Sequence, residues 1–277
     1  MKLTNEVITS RKNPLVMLAA SLQEKKYRDR HGLFCVPGHK LCREAIASEA
    51  PIAHVILSSG YAAKHMDEVL SDFSDARYES TPLTVVSDDC FLKIGEEKAP
   101  EGIILLIKHL DISKKYNKIK DVDFFGGDRP LLLLHAIRDP GNLGTVLRSA
   151  GAFGVGGVLL TDDCADLYHP RTVRAAMGAI FRVPTLTVKD AAEAIADLKA
   201  SGRRVLAAEL RPGALPIAAA ELKANDTVII GNEGHGIPPE ISALCTVSVY
   251  LPIVPEAESL NAAAAATVFL WELSKIN

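Results

Sequence analysis

Apolar residues recur at helical spacing from residue 14 to about 30, where Leu15, Leu18, Ala19 and Leu22 lead into a basic run. The apolar stretch 33–36 predicts a strand stopped by Pro37 and Gly38. Helical patterns at 41–47 and 61–71 then alternate with strand patterns at 54–57, 83–86 and 103–107. Such alternation predicts a small α/β domain ending near residue 108. Residues 109–129 are polar and charged and close on Gly126, Gly127 and Asp128, as expected of a linker. Beyond it, 131–136 is almost wholly apolar, as a parallel strand covered on both faces requires. A loop and helix at 141–152 and a strand at 158–161 follow, then helices at 173–181 and 191–201. Strands at 205–208, 227–230 and 247–251 precede an Ala-rich helix over 262–274. The expectation is a mainly parallel sheet with helices on both faces, and domains at 1–108 and 130–277 joined by 109–129.

Composition narrows the class. At 48% hydrophobic and 23% charged, the 277-residue chain is ordinarily globular. It has no run of about 20 apolar residues, so no membrane helix is expected. The N-terminus lacks the apolar core of a signal peptide, which places the chain in the cytoplasm. Five cysteines without a CxxC pair argue for reduced thiols, and Cys35, His39 and Cys42 lack the fourth ligand and spacing of a zinc site. No metal is expected. The net charge of −3 excludes a uniformly basic protein. Within residues 1–30, however, seven cations stand against three anions, and Lys114, Lys115, Lys118 and Lys120 form a second basic cluster. Arg11, Lys12, Lys25, Lys26, Arg28 and Arg30 are the candidate RNA contacts, but charge alone equally describes a solvated face and an RNA-binding reading needs support from elsewhere.

Ligands of open α/β sheets bind beyond the carboxyl ends of the strands. Three segments stand there. After the 131 strand comes Asp139-Pro-Gly-Asn142-Leu-Gly144, continuing through Arg148 to Gly154; after the 227 strand comes Ile230-Gly-Asn232-Glu233-Gly-His-Gly-Ile237. The third runs from Leu251 to Ser259-Leu260-Asn261 at the head of the last helix. Neither a GxGxxG dinucleotide fingerprint nor a GxxxxGK[ST] phosphate loop is present, which disfavours a nucleotide-dependent oxidoreductase. Glycines flanking Asn232 and Glu233 allow backbone to approach a ligand closely.

In order, spacing and strand context, the three segments resemble the motifs of the SpoU/TrmH branch of the SPOUT methyltransferases. Less specifically, Ile8-Thr-Ser-Arg11-Lys12-Asn13-Pro14 and residues 32–38 resemble that family's L30e-like substrate-binding domain. The resemblance implies a SPOUT α/β domain with a C-terminal trefoil knot, and a homodimer. It implies methyl transfer from S-adenosylmethionine to a ribose 2′-hydroxyl of RNA, ribosomal RNA first; the alternatives are transfer RNA as substrate, or a non-catalytic RNA-binding relative. Gly231, Leu251 and Leu260 would hold the donor through backbone, with Ile230, Asn232, Ile253 and Ser259 beside them. Arg148 would activate or orient the hydroxyl, helped by Asn142, with Glu233, Ser259 and Asn261 completing the polar wall. Arginine stays protonated, so Arg148 would stabilise a developing alkoxide or hold a phosphate. Pro37 and Ala176 depart from the family's usual Glu and Ser and put target identity in doubt, while His235 stands at a variable position.

Overall fold

The computed structural model describes residues 1–4, 6–95, 100–110, 113–115 (backbone only), 127–254, 256–257 and 259–276. Most of the expected linker, with Lys118 and Lys120, lies outside the described residues. The chain forms two compact units, Met1–Leu110 with Tyr168–Phe181, and Asp111–Leu167 with Arg182–Asn277.

The first unit contains β1 (Lys2–Leu3), α1 (Pro14–Ser21), α2 (Lys25–His31), β2 (Leu33–Pro37), α3 (His39–Ala47), β3 (Ile52–Ser58), α4 (Ser59–Asp72), β4 (Pro82–Val86), α5 (Asp88–Ile94) and β5 (Ile103–Lys108). Its sheet runs β1-β4-β3-β5-β2 and is mixed: β5 pairs antiparallel with both β2 and β3. One face buries Val16, Ala19 and Leu22 of α1 and its C-cap against Cys90, Phe91 and Ile94 of α5.

The single helix expected over 14–30 is two. α1 ends at Ser21, whose hydroxyl donates back to Leu18 O at 2.7 Å. A broken helix leaves carbonyls without partners. Here Arg28 Nη1 donates to Leu22 O and Gln23 O, each at 2.7 Å. Arg28 is 2% exposed, so the expectation that it meets RNA is corrected: its guanidinium satisfies the break from inside.

The stretch 173–181 also breaks. α7 (Pro170–Ala176) is followed by Met177 and Gly178, both left-handed at φ 47° and 86°, and a 3₁₀ turn (Ala179–Phe181). A Cβ on Gly178 would lie 2.8 Å from Glu44 Cβ, so the backbone passes where only glycine fits. Tyr168, at the start of this segment, stacks on Phe34 (4.5 Å) and His109 (4.3 Å) and accepts from Leu110 N at 2.8 Å.

The second unit holds β6 (Ser113–Lys115), β7 (Leu131–Leu134), α6 (Pro140–Ala152), β8 (Gly157–Thr161), β9 (Thr185–Val188), α8 (Ala191–Ala200), β10 (Val205–Ala208), β11 (Leu215–Pro216), β12 (Thr227–Ile230), α9 (Pro239–Ser242), β13 (Val247–Tyr250) and α10 (Ala262–Ser274). Its eight strands run β11-β13-β10-β12-β7-β8-β9-β6, every pair parallel. The expected parallel sheet is therefore present. Leu131 and Leu133 pack with Ala194, Ile195 and Leu198 of α8. Strand alternation turns Leu132 and Leu134 to the opposite face, so β7 needs apolar residues at every position. α6 and α10 are joined by a 2.7 Å hydrogen bond between the Ser149 and Thr267 hydroxyls.

Candidate active site

Chain order reverses at β7: β8 and β9 lie to one side, β12, β10 and β13 to the other. Such a switch point opens a crevice at the carboxyl ends of the strands. The turns after β12, β10 and β13 line a cavity of about 300 Å³ there. Its walls include Ile230, Gly231, Asn232, Glu233, Leu251, Ile253, Ser259 and Leu260. Every residue expected to hold the methyl donor thus lies on one cavity.

The turn that follows β12 is built on close backbone approach. Asn232 and Gly236 exchange backbone hydrogen bonds of 3.0 and 2.9 Å. A Cβ on Gly231 would lie 2.3 Å from Gly236 C and 2.5 Å from Ile237 N, both backbone atoms. The Asn232 side chain is spent inside the protein: Nδ2 donates to Ala136 O (2.7 Å) and Oδ1 accepts from Gly234 N (2.9 Å) and His235 N (3.1 Å). It holds the turn to the end of β7, where Ala136 is left-handed at φ 55°. That conformation is strained for a residue with a Cβ.

Glu233 reaches from this turn to the start of α6. Asn142 Nδ2 donates to Glu233 Oε1 at 3.0 Å, and the Arg138 and Asp139 amides donate to the carboxylate at 3.3 Å each. Asn261 Nδ2 donates to Asn142 Oδ1 at 2.9 Å, while Asn261 Oδ1 caps α10 at Ala263 N (2.9 Å) and Ala264 N (3.2 Å). Asp139 caps α6 through Asn142 N at 2.9 Å. The row Glu233–Asn142–Asn261 is thereby fixed to two helix N-termini, which favour negative charge. Desolvation pushes the Glu233 carboxyl up, but the bonds from Asn142 and the backbone outweigh it and hold it below the usual carboxylate range. At neutral pH it is an anion and accepts only.

Arg148 is exposed on α6 and stands outside the cavity wall, with no hydrogen bond or ion pair among the described residues. His235 is likewise exposed and off the wall. Sequence reasoning missed Glu209 and Leu210, which line the cavity directly after β10, and Phe269 of α10. Among the basic residues of the first unit, Arg11 faces Asp89 (3.6 Å), Lys25 faces Asp29 (2.7 Å) and Lys26 faces Glu24 (2.8 Å), all exposed. Such exposed pairs contribute little to stability. Lys12 and Arg30 are also exposed.

The model of the SpoU rRNA methylase family matches residues 129–271, a span holding all three strand-end segments. The chain belongs to the SpoU rRNA methylase family. It is an RNA methyltransferase. A second model, for an MRM3-like substrate-binding domain, matches residues 13–105 of this SpoU methylase. Among its relatives is the 23S rRNA (guanosine(2553)-2′-O)-methyltransferase RlmP of Bacillus subtilis (strain 168), 29% identical over 96% of this chain and 98% of that protein. Solved structures include an AdoMet-bound rRNA methyltransferase from Sinorhizobium meliloti (26% identity, TM-score 0.82, 98% of this chain and 97% of that one). An RNA 2′-O ribose methyltransferase is similar too (25% identity, TM-score 0.79, 98% and 99%). Among the described residues no helix is long and apolar enough to cross a membrane.

Proposed function

We propose that this SpoU methylase transfers a methyl group to a ribose 2′-hydroxyl of ribosomal RNA, the reaction class named for RlmP. S-adenosylmethionine is the methyl donor, and its sulfonium supplies an electrophilic methyl. The observation that carries the reading is Glu233, which lines the donor cavity and holds Asn142 of the acceptor row by one hydrogen bond. A cavity with apolar walls (Ile230, Leu251, Ile253, Leu260) and a few fixed polar groups (Glu233, Ser259) suits a nucleoside with a charged tail. Glycine at 231 keeps backbone amides and carbonyls at the wall instead of a side chain.

An in-line displacement needs the hydroxyl held against the methyl and its developing charge stabilised. Asn142 and Asn261 position the ribose, and Arg148 stabilises the emerging alkoxide or grips the adjoining phosphate. Residues 1–108 receive the RNA through Arg11, Lys12, Lys25, Lys26 and Arg30, with backbone contacts that set register. The active form is a homodimer of a cytoplasmic protein. Val268 and Trp271, exposed one turn apart on α10, support that assembly. The family's trefoil knot is proposed for 251–261, from which Leu251, Ile253, Ser259 and Leu260 line the same cavity as the turn after β12.

Incubating the protein with labelled S-adenosylmethionine and either ribosomal or transfer RNA, then digesting to nucleosides, tests the reading. 2′-O-methylated nucleoside from ribosomal RNA is expected; label only in transfer RNA would overturn the choice of RNA, and none in either would overturn the reaction. Arg148→Ala should lower transfer by at least a hundredfold while leaving donor affinity within about twofold. A parallel collapse of donor affinity, by calorimetry, would refute its acceptor-side role.

A further inference from the structure

Glu209 follows β10 directly, lines the donor cavity, and has a side chain only 17% exposed. Its carboxylate is held asymmetrically. Oε1 accepts from the Ser242 hydroxyl, from Ser248 Oγ at 2.7 Å, and from Arg211 Nη1 at 3.3 Å. Arg211 Nη1 also donates to the Ser242 hydroxyl. Every described partner falls on that one oxygen. Oε2 has none among the described residues, nor is it one of the buried atoms lacking a hydrogen bond. The two serines and the arginine thus fix a carboxylate whose second oxygen remains free at the cavity.

Position decides which part of the donor it meets. β10 is separated from β7 by β12, two strand spacings or about 10 Å. Glu233, Asn142 and Asn261 gather on the β7 side, where the hydroxyl must meet the methyl. Glu209 therefore faces a part of the donor that does not react. The hydrogen-bond donors available on that part are ribose hydroxyls, an adenine amino group and the α-ammonium. Arg211 beside Oε1 already offsets the carboxylate charge and repels a second cation, which disfavours the ammonium. A carboxylate at a strand end is well suited to a ribose hydroxyl.

We infer that Glu209 is a positioning residue for the methyl donor, its Oε2 accepting a hydrogen bond from a ribose hydroxyl of the adenosine moiety. This rests on the donor-pocket reading above. The test is calorimetric binding of 5′-methylthioadenosine, which keeps the ribose and lacks the amino-acid tail, beside its 2′,3′-dideoxy form and S-adenosylhomocysteine. In Glu209→Ala, 5′-methylthioadenosine and S-adenosylhomocysteine should both weaken about tenfold, and the dideoxy form should bind wild type and variant alike. If a melt shows Glu209→Ala misfolded, Glu209→Gln keeps an oxygen for the serines and should weaken the ribose-bearing ligands about threefold, again sparing the dideoxy form. With S-adenosylmethionine, KM should rise while kcat holds. Loss confined to S-adenosylhomocysteine would overturn the assignment in favour of the ammonium. Equal loss for ribose and dideoxy ligands would reduce Glu209 to scaffolding, and no loss would remove its role. If wild type binds none of the three, the donor-pocket reading fails and takes the assignment with it.

Discussion

At Gly231 a single hydrogen atom decides whether the cavity beyond β12 keeps its wall. A methyl group there would meet backbone on both sides, and backbone cannot rotate away as a side chain does. Gly231→Ala is expected to push the turn outward and weaken S-adenosylhomocysteine by more than tenfold, with about 2 kcal/mol lost in urea unfolding. Asn142 is the residue through which protonation becomes visible. Its hydrogen bond helps depress Glu233, so the anion persists below the ordinary carboxylate pKa of about 4.3. Stability from a depressed carboxyl is present above its unfolded pKa and is lost as pH falls through the folded one. Asn142→Ala should raise Glu233 toward the ordinary value. The acid limb of kcat/KM should then move to higher pH, as a rate profile between about pH 3 and 6 would record. Glu209 stands at a strand end like the three motifs, and that rule could have found it; a lone Glu between an apolar strand and Leu210 has no pattern to mark it.

The elements were legible where periodicity was strong. β7, β8, β10, β12 and α10 fall within a residue or two of their expected spans, because an all-apolar run in a covered parallel strand and an Ala-rich helix have few competing readings. The misses are local. α5 was overlooked although Ser87 accepts from Cys90 N and Asp88 and Asp89 follow it, a start signal without the length that periodicity needs. The break between α1 and α2 depends on Arg28 folding back on carbonyls, a tertiary choice that spacing does not encode. At the foot of the catalytic sheet, Arg204 donates to the fully buried Asp226 through Nε (2.9 Å) and Nη2 (2.6 Å), tying β10 to β12. Those are the strands whose far ends form the cavity. Arg204→Ala leaves a buried carboxylate without its cation and should cost about 3 kcal/mol of stability by urea unfolding. A variant as stable as wild type would show that the pair contributes nothing.

For the molecule as a whole, the chain leaves the first unit at Leu110, returns to it at Tyr168 and leaves it again at Phe181. Tyr168–Phe181 lies within the sequence of the catalytic part yet clusters with the first unit. No rule of spacing predicts this, because a short helix carries no label for the sheet it will cover. Its side chains are core material: Thr172, Val173 and Ala176 are fully buried, and the Tyr168 ring completes a stack on Phe34. A fragment ending at Leu110 should therefore expose an apolar face, bind a hydrophobic dye, and melt well below the intact protein. Equal melting would show that the segment is dispensable. During synthesis the same feature sets an order of events. The ribosome finishes the first 110 residues long before it makes their missing piece, so that unit must wait, incomplete, while β7, α6 and β8 emerge. Only once translation reaches Phe181 can the amino-terminal unit acquire its full core.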